Sequence, residues 1–153
     1  MVLYLVQHGE ANPETVDPAR GLTPRGVNDV RRVAMQAGAL NLPFKRILHS
    51  RKKRAAQTAE ILAEHLMKDP VVQQVEGLLP QDDPTLWVER LKATGENTVL
   101  VGHLPHLARL SSALLCSDPD RAVISFHMAG VVCMTKSTMG WAIEWIMTPD
   151  TVA

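Results

Sequence analysis

The sequence has no long apolar run and no excess of charge of either sign. Its 16 basic and 16 acidic side chains give a formal net charge of zero, which disfavours binding of nucleic acid or of an anionic membrane surface through a general positive field. No apolar run approaches the roughly 18 residues that a membrane-spanning helix needs. We therefore expect neither a nucleic-acid partner nor a membrane partner.

Cysteine is also scarce. Cys116 and Cys133 lie far apart and match no metal-ligand or redox spacing, so we interpret them as reduced thiols of a cytosolic protein. The apolar stretch from Met1 to Val6 has no basic leader and is interpreted as a buried strand rather than a signal peptide. These features together predict a cytoplasmic location.

Length and composition predict one folded domain over residues 1–153. The chain has 153 residues, of which 46% are hydrophobic and 21% charged, the balance of an ordinary folded protein. Neither a repeat nor a linker-like segment interrupts the sequence. A disordered tail, a collagen-like repeat and a coiled coil are therefore excluded as descriptions of the whole chain.

Apolar segments of strand length alternate with segments of helical periodicity along much of the chain. Strands are predicted at 2–6, 46–50, 71–75 and 98–101, followed by two or three closing strands among 123–126, 131–135 and 141–147. Helices are predicted from 24, from about 52 to 66, around 86–91 and from 105. This alternation indicates an α/β protein, a three-layer sandwich with a mostly parallel central sheet and helices on both faces. The closing strands are expected to add an antiparallel edge.

Polar side chains follow three of the predicted strands at their carboxyl ends. His8 follows the first strand, Arg54 enters the helix after the second, and His103 follows the fourth. In open α/β sheets the ligand crevice lies outside these ends, and a helix N-terminus there attracts anions. A nitrogen nucleophile beside cations and hydrogen-bond donors suits the chemistry of a phosphoryl group.

The six histidines differ in how strongly the sequence predicts a function for them. A single histidine at a strand end is usually structural, but His8 and His103 each adjoin a glycine after a buried strand, and this shared pattern favours a function. His103 and His106 have the spacing of two metal ligands, yet no third ligand has a suggestive position, so no metal site is predicted. The remaining histidines are interpreted as structural: His49, His65 and His127.

A run of basic residues surrounds the second predicted strand. It comprises Lys45, Arg46, Arg51, Lys52, Lys53 and Arg54. Such runs usually form a solvated face, and we expect this for all of them except Arg51 and Arg54.

Four segments resemble the signature motifs of the histidine phosphatase superfamily. Residues 7–9, Gln-His-Gly, are similar to its Arg-His-Gly motif, and residues 22–26 resemble its Leu-Thr-x-x-Gly element. Residues 50–58 resemble its Ser-x-x-x-Arg-Ala-x-Gln-Thr segment, and residues 102–105 match its Gly-His-x-Pro element. The motifs occur in order over nearly the whole chain. Without long insertions, the chain is most similar to the compact SixA-type phosphohistidine phosphatases, which implies a phosphoglycerate mutase-like fold.

The resemblance also implies roles for individual residues. His8 would be the nucleophile that forms a covalent phosphohistidine, Arg54 would bind the phosphoryl group, and His103 would contact its oxygens. The family needs no metal or organic cofactor, so none is expected here.

The residue before the nucleophile departs from the family pattern. Gln7 stands where the family has an arginine, so a neutral amide replaces a charged, two-pronged donor. An uncompensated loss of one transition-state contact costs about 2.7–4 kcal/mol by analogy with an oxyanion donor. We hypothesise that Arg20, in the loop after the nucleophile, supplies part of the missing charge. A labile phosphoramidate bond would also demand less of the site than a phosphate ester.

The general acid is not assigned by the sequence. Mutase-like members of the family use a glutamate in a segment without a match here. Asp82 and Asp83, in the loop after the third strand, and Glu10 are the candidates, although loop carboxylates are usually only solvated.

The expected activity is hydrolysis of phosphohistidine, with a histidine-containing phosphotransfer domain as the phosphorylated protein partner. Two alternatives remain open. The protein could be a phosphoryl-binding module whose turnover is weakened by Gln7, or a general phosphomonoesterase acting on small phosphorylated substrates.

Overall fold

The structure, a computed structural model, describes residues 1–66, 68–69 and 71–153. Within these residues the strands are β1 (Val2–Gln7), β2 (Arg46–His49), β3 (Val71–Gln74), β4 (Thr98–Gly102), β5 (Val131–Ser137) and β6 (Gly140–Met147). The helices are α1 (Pro24–Gly38), α2 (Lys53–Leu66), α3 (Thr85–Thr94) and α4 (His106–Cys116).

The strands form one mixed sheet with β1 and β4 at its centre. The order is β3-β2-β4-β1-β5-β6. The pairs β3–β2, β2–β4 and β4–β1 are parallel, whereas β5 and β6 are antiparallel to their neighbours. The predicted α/β class, its mostly parallel sheet and its antiparallel edge are confirmed.

Of the two or three closing strands predicted, two form, and the possible strand at 123–126 is wrong. This segment has no strand pairing, and β5 takes the place beside β1. Its apolar residues Ile124 and Phe126 pack against a core cluster instead. Burial against a core and burial within a sheet select the same residue types, so a short apolar segment cannot distinguish them.

Two apolar layers enclose the sheet. Along β1, Tyr4 and Val6 face the layer that contains residues of α1 and α2, whereas Leu3 and Leu5 face the layer that contains residues of α3 and α4. All four side chains are at most 2% exposed. The central strand is thus fixed on both faces, which holds the residue after its end in one position.

Helix α1 begins as the sequence predicts. Thr23 Oγ1 accepts the backbone N–H of Gly26 at 2.9 Å, and Pro24 occupies the first helical position, a cap worth about 0.5–2 kcal/mol. A Cβ on Gly26 would lie 2.1 Å from the backbone oxygen of Glu10. Only glycine allows this close approach, which seats α1 against the segment that follows His8.

Among the described residues, no helix combines the length and apolarity required to cross a membrane.

Candidate active site

His8 lies directly after β1 and is half-buried. Its backbone N–H donates to Gly102 O at 3.1 Å, and its backbone oxygen accepts the N–H of Ala129 at 3.1 Å. Its ring Nδ1 is 2.7 Å from Gly9 O. Because a carbonyl oxygen only accepts, Nδ1 carries the proton in this contact. The neutral ring therefore has its lone pair at Nε2, the atom suited to attack on phosphorus.

His103 follows β4 and lies beside His8. The two ring centroids are 5.0 Å apart, with planes inclined at 54°. His103 Nε2 is 2.6 Å from Ser50 Oγ, and the His103 side chain is only 1% exposed. The ends of β1 and β4, which pair in parallel, thus bring together two histidines that are far apart in the sequence.

Two arginines contribute positive charge to the surroundings of His8 and His103. Arg54, in the first turn of α2, is 9% exposed and its Nε has no partner. Arg20 donates from Nε to Asn12 O at 3.1 Å and has a left-handed backbone φ of 53°, an unfavourable conformation for a residue with a side chain. The charge of Arg20 helps to lower the pKa of both His8 and Arg54.

Burial and positive charge keep both histidine rings neutral. Desolvation is the largest cause that lowers the pKa of His103 from 6.5 to about 3, followed by repulsion from His8 in its protonated form and by the charge of Arg54. Desolvation also lowers the pKa of His8; the Gly9 hydrogen bond opposes this shift, and the charges of Arg54 and Arg20 add to it. At neutral pH His8 is therefore a nucleophile with a free lone pair, and His103 is a neutral ring with a single N–H.

Buried polar atoms without partners concentrate at this edge of the sheet. Within the part of the chain that the structure describes, they are Gln7 Oε1, Arg54 Nε, His103 Nδ1 and both ring nitrogens of His106. Most buried polar groups in folded proteins are hydrogen-bonded. Their concentration here indicates a place that a polar ligand completes.

The candidate acids occupy structural positions. Glu10 Oε1 accepts the hydroxyl of Thr23 at 2.8 Å, and Asp83 Oδ1 accepts the N–H of Thr85 at 2.9 Å at the start of α3. This bond lowers the pKa of Asp83, which favours the ionised form, whereas a general acid must be protonated. Asp82 Oδ2 accepts the N–H of Leu79 at 2.9 Å.

Sequence reasoning assigned no role to three residues that hold the site together. Thr58 Oγ1 accepts the N–H of Gly9 at 3.0 Å and donates to Arg54 O at 2.8 Å, linking the residue after the nucleophile to α2. Gln57 Oε1 accepts the N–H of Leu22 at 2.7 Å. Thr58, Gln57 and Ser50 all lie in the segment 50–58, which resembles the Ser-x-x-x-Arg-Ala-x-Gln-Thr motif. The fixed residues of that motif are therefore the sequence feature from which their importance could be predicted.

The described residues contain no group of three or more histidine, cysteine, aspartate or glutamate side chains that could hold a metal ion. A cleft of about 570 Å³ between β3 and α3, lined by Gln73, Trp87 and Arg90 among others, does not include His8, Arg54 or His103.

Comparison with known proteins gives one family. Residues 3–78 match the model of the histidine phosphatase superfamily (branch 1). An uncharacterized protein of Picosynechococcus sp. (strain ATCC 27264 / PCC 7002 / PR-6) is 37% identical over 139 residues, covering 86% of this chain and 83% of that protein.

Solved structures share the fold over almost the entire chain. The protein histidine phosphatase SixA complexed with tungstate has a TM-score of 0.84 at 23% identity, with 98% of each chain covered. A phosphoserine phosphatase mutant of Entamoeba histolytica in complex with phosphoserine has a TM-score of 0.74 at 17% identity, with 99% of each chain covered. By its sequence match and its phosphoglycerate mutase-like fold, the chain belongs to the histidine phosphatase superfamily, branch 1, and is a phosphatase by class.

Proposed function

We propose that the protein is a phosphohistidine phosphatase that acts through a covalent phosphohistidine on His8. The observation that carries this proposal is the Nδ1–H bond of His8 to Gly9 O at 2.7 Å, which leaves Nε2 free beside Arg54 and His103. The similarity in fold to SixA supports a phosphohistidine substrate.

In the first step, the Nε2 lone pair of His8 forms a bond to phosphorus. The bond from phosphorus to the substrate nitrogen breaks in line, and its electron pair leaves with the substrate ring, which departs as neutral imidazole because its other nitrogen carries a proton. Arg54, His103 and the Gln7 amide hold the equatorial oxygens. Catalysis rests on positioning and charge stabilisation, and the low pKa of His8 keeps its lone pair available at neutral pH.

In the second step, water attacks the phosphoryl group on His8. Inorganic phosphate forms, the N–P bond breaks, and Nε2 regains its lone pair. Because Nδ1 keeps its proton, the ring leaves phosphorus as neutral imidazole, and both protons of the water stay on the phosphate, which forms as dihydrogen phosphate.

Arg20 compensates in this proposal for the neutral Gln7. Its charge acts on both His8 and Arg54, and its strained backbone is held by the bond from its N–H to Asp17 O at 2.9 Å. Strain of this kind persists where the surrounding structure enforces it, often at functional sites.

The phosphoryl donor in this proposal is a phosphorylated signalling protein, such as a histidine phosphotransfer domain, in the cytoplasm. A small phosphate ester is the second candidate substrate, favoured by the fold shared with a phosphoserine phosphatase. Rates on a phosphohistidine peptide and on a panel of phosphate esters distinguish the two, and faster ester hydrolysis would refute the first.

Trapping of labelled phosphate tests the covalent step. Incubation with a ³²P-labelled phosphohistidine protein followed by acid-free quenching is expected to label the wild-type chain transiently and to leave His8→Ala unlabelled. A binding module with lost turnover would bind the phosphoprotein and never acquire label, which would refute the proposed activity.

A further inference from the structure

Four consecutive basic residues stand where α2 begins: Arg51, Lys52, Lys53 and Arg54. Arg54 points into the buried site, whereas Arg51 and Lys53 are exposed and Lys52 is half-buried. Together with Arg20 from the opposite loop, the outer three form what we call the basic rim (Arg20, Arg51, Lys52 and Lys53). The sequence alone predicts only a solvated face for Lys52 and Lys53.

Helix stability does not explain this arrangement. The N-terminus of a helix carries partial positive charge and favours acidic residues, yet the first turn of α2 contains none. The basic residues therefore repel one another and the helix dipole. The clustering of basic residues at the start of α2, in a chain whose net charge is zero, therefore lowers the stability of the helix.

The charges of the rim have little compensation within the protein: that of Lys53 acts on the nearby carboxylate of Asp17. Over the described residues, neither the basic rim nor Arg54 forms an ion pair. Basic residues elsewhere do form ion pairs: Arg25, Arg32, Arg46, Lys92 and Arg109. The rim therefore remains available to an external anion.

The rim adjoins the catalytic hollow, the name we use for the place bounded by His8, Arg54 and His103. The side chain of Lys53 lies against the loop that carries Arg20, since its Cε is 3.2 Å from the position that a Cβ on Gly21 would occupy. The charge of Lys52 acts on His103. The neighbouring carboxylate of Asp17 accepts the N–H groups of Ala19 at 3.1 Å and Gly21 at 2.8 Å. Inside the rim, Arg54 Nε is buried without a partner, an independent sign that an anion completes this place.

The size and exposure of the rim favour a large partner. In the proposed function a single phosphoryl group is held by the residues of the hollow together with Arg20, which leaves the exposed side chains of Arg51 and Lys53 without a part in binding it. Exposed cations act at longer range on an extended acidic surface, where they increase the association rate and orient the partner. The zero net charge of the chain disfavours nucleic acid, whose binding requires many phosphate contacts.

We propose that the basic rim docks an acidic protein surface, with carboxylates of aspartate or glutamate flanking the phosphorylated residue. This inference rests on the proposed function and names the class of its substrate. The phosphoryl group enters the hollow while the carboxylates pair with Arg51 and Lys53.

Two peptides test the docking surface directly. Both carry a stable phosphonate mimic of phosphohistidine, one flanked by glutamate and aspartate and the other by glutamine and asparagine. Titration calorimetry is expected to show that the wild-type chain binds the acidic peptide roughly threefold to tenfold more tightly at low salt. The preference is expected to disappear at about 0.5 M salt, where screening shortens to a few ångströms.

Matched double variants assign the preference to the rim. Arg51→Gln/Lys53→Gln is expected to lose most of it, whereas Arg31→Gln/Lys136→Gln, which removes the same charge from two exposed positions elsewhere, retains it. Neither pair belongs to the catalytic hollow, so turnover of a small phosphoramidate is expected to stay unchanged in both.

Equal affinity of the wild-type chain for the two peptides would overturn the inference. A preference that survives Arg51→Gln/Lys53→Gln, or a small bisphosphate that binds as tightly as the acidic peptide, would do the same. Binding needs no turnover, so the two proposals can fail separately. Selective binding without labelling of His8 refutes the proposed activity and supports the rim; labelling without selectivity does the reverse.

Discussion

At the residue scale, the distinctive feature of the site is a neutral amide beside the nucleophile. Gln7 is 9% exposed and its Oε1 has no partner. An amide offers weaker hydrogen bonds than a guanidinium, because charge-assisted bonds are roughly twice as strong as neutral ones. The site therefore holds less fixed positive charge than the family pattern provides.

Restoring the family's arginine is expected to increase the rate. Gln7→Arg should raise kcat/KM on a phosphate ester by roughly 10- to 100-fold, because it adds a charged donor for the transition state. The gain should be smaller on a phosphohistidine peptide, whose labile bond needs less stabilisation. Gln7→Met, which removes the amide at similar volume, is the control and should lower both rates. An unchanged ester rate in Gln7→Arg would contradict this view of the site.

Removal of Arg20 tests its compensating role. Arg20→Ala is expected to weaken tungstate binding by about tenfold or more, the loss of a charge-assisted contact being worth roughly 1.5–3 kcal/mol. Competition of tungstate against turnover gives the affinity. Arg25→Ala, which removes an exposed arginine paired with Asp29, is the control and should not change it. Tungstate affinity that survives Arg20→Ala would show that the charge of Arg20 does not reach the ligand.

At the element scale, the segment between α2 and the end of β1 decides how firmly His8 is held. Thr58 joins Gly9 to the backbone of Arg54 through one hydroxyl. The motif in residues 50–58 predicts that these residues belong together. Which atom bonds to which could not be predicted, because the contact joins elements 49 residues apart in sequence.

Loss of this hydroxyl should affect both stability and catalysis. Thr58→Val conserves shape but leaves the buried N–H of Gly9 unsatisfied, at a cost of about 1–3 kcal/mol in the free energy of unfolding. The rate of His8 labelling should fall as well, because Gly9 O fixes the His8 ring. Urea unfolding and labelling kinetics measure the two effects. Thr58→Ser keeps the hydroxyl and should restore labelling; equal labelling rates in both variants would exclude a positioning role.

At the scale of the whole molecule, three histidines that are buried or half-buried link stability to pH. His8, His103 and His106 all have a lowered pKa, caused first by desolvation. The unfolded chain therefore binds more protons than the folded chain below pH 6.5, so stability decreases as the pH falls through this range.

Acidification should accordingly destabilise the fold. With a folded pKa of about 3 for His103 against 6.5 unfolded, this residue alone accounts for about 2 kcal/mol lost between pH 8 and pH 5. Urea denaturation at the two pH values measures the loss. His103→Asn should show a shallower dependence than the wild type, and a wild-type stability independent of pH in this range would contradict the buried neutral state.

The sequence by itself determined the class of fold, the order of its main elements and the family, because periodicity and short motifs are local properties of the chain. It also singled out His8, Arg54 and His103 as candidates. Only the tertiary structure decided which residues hold these side chains in place, among them Ser50 and Thr58. It also decided that 123–126 packs on the core instead of joining the sheet. Finally, it placed basic residues around the hollow. These features depend on contacts between distant segments, which local patterns do not encode.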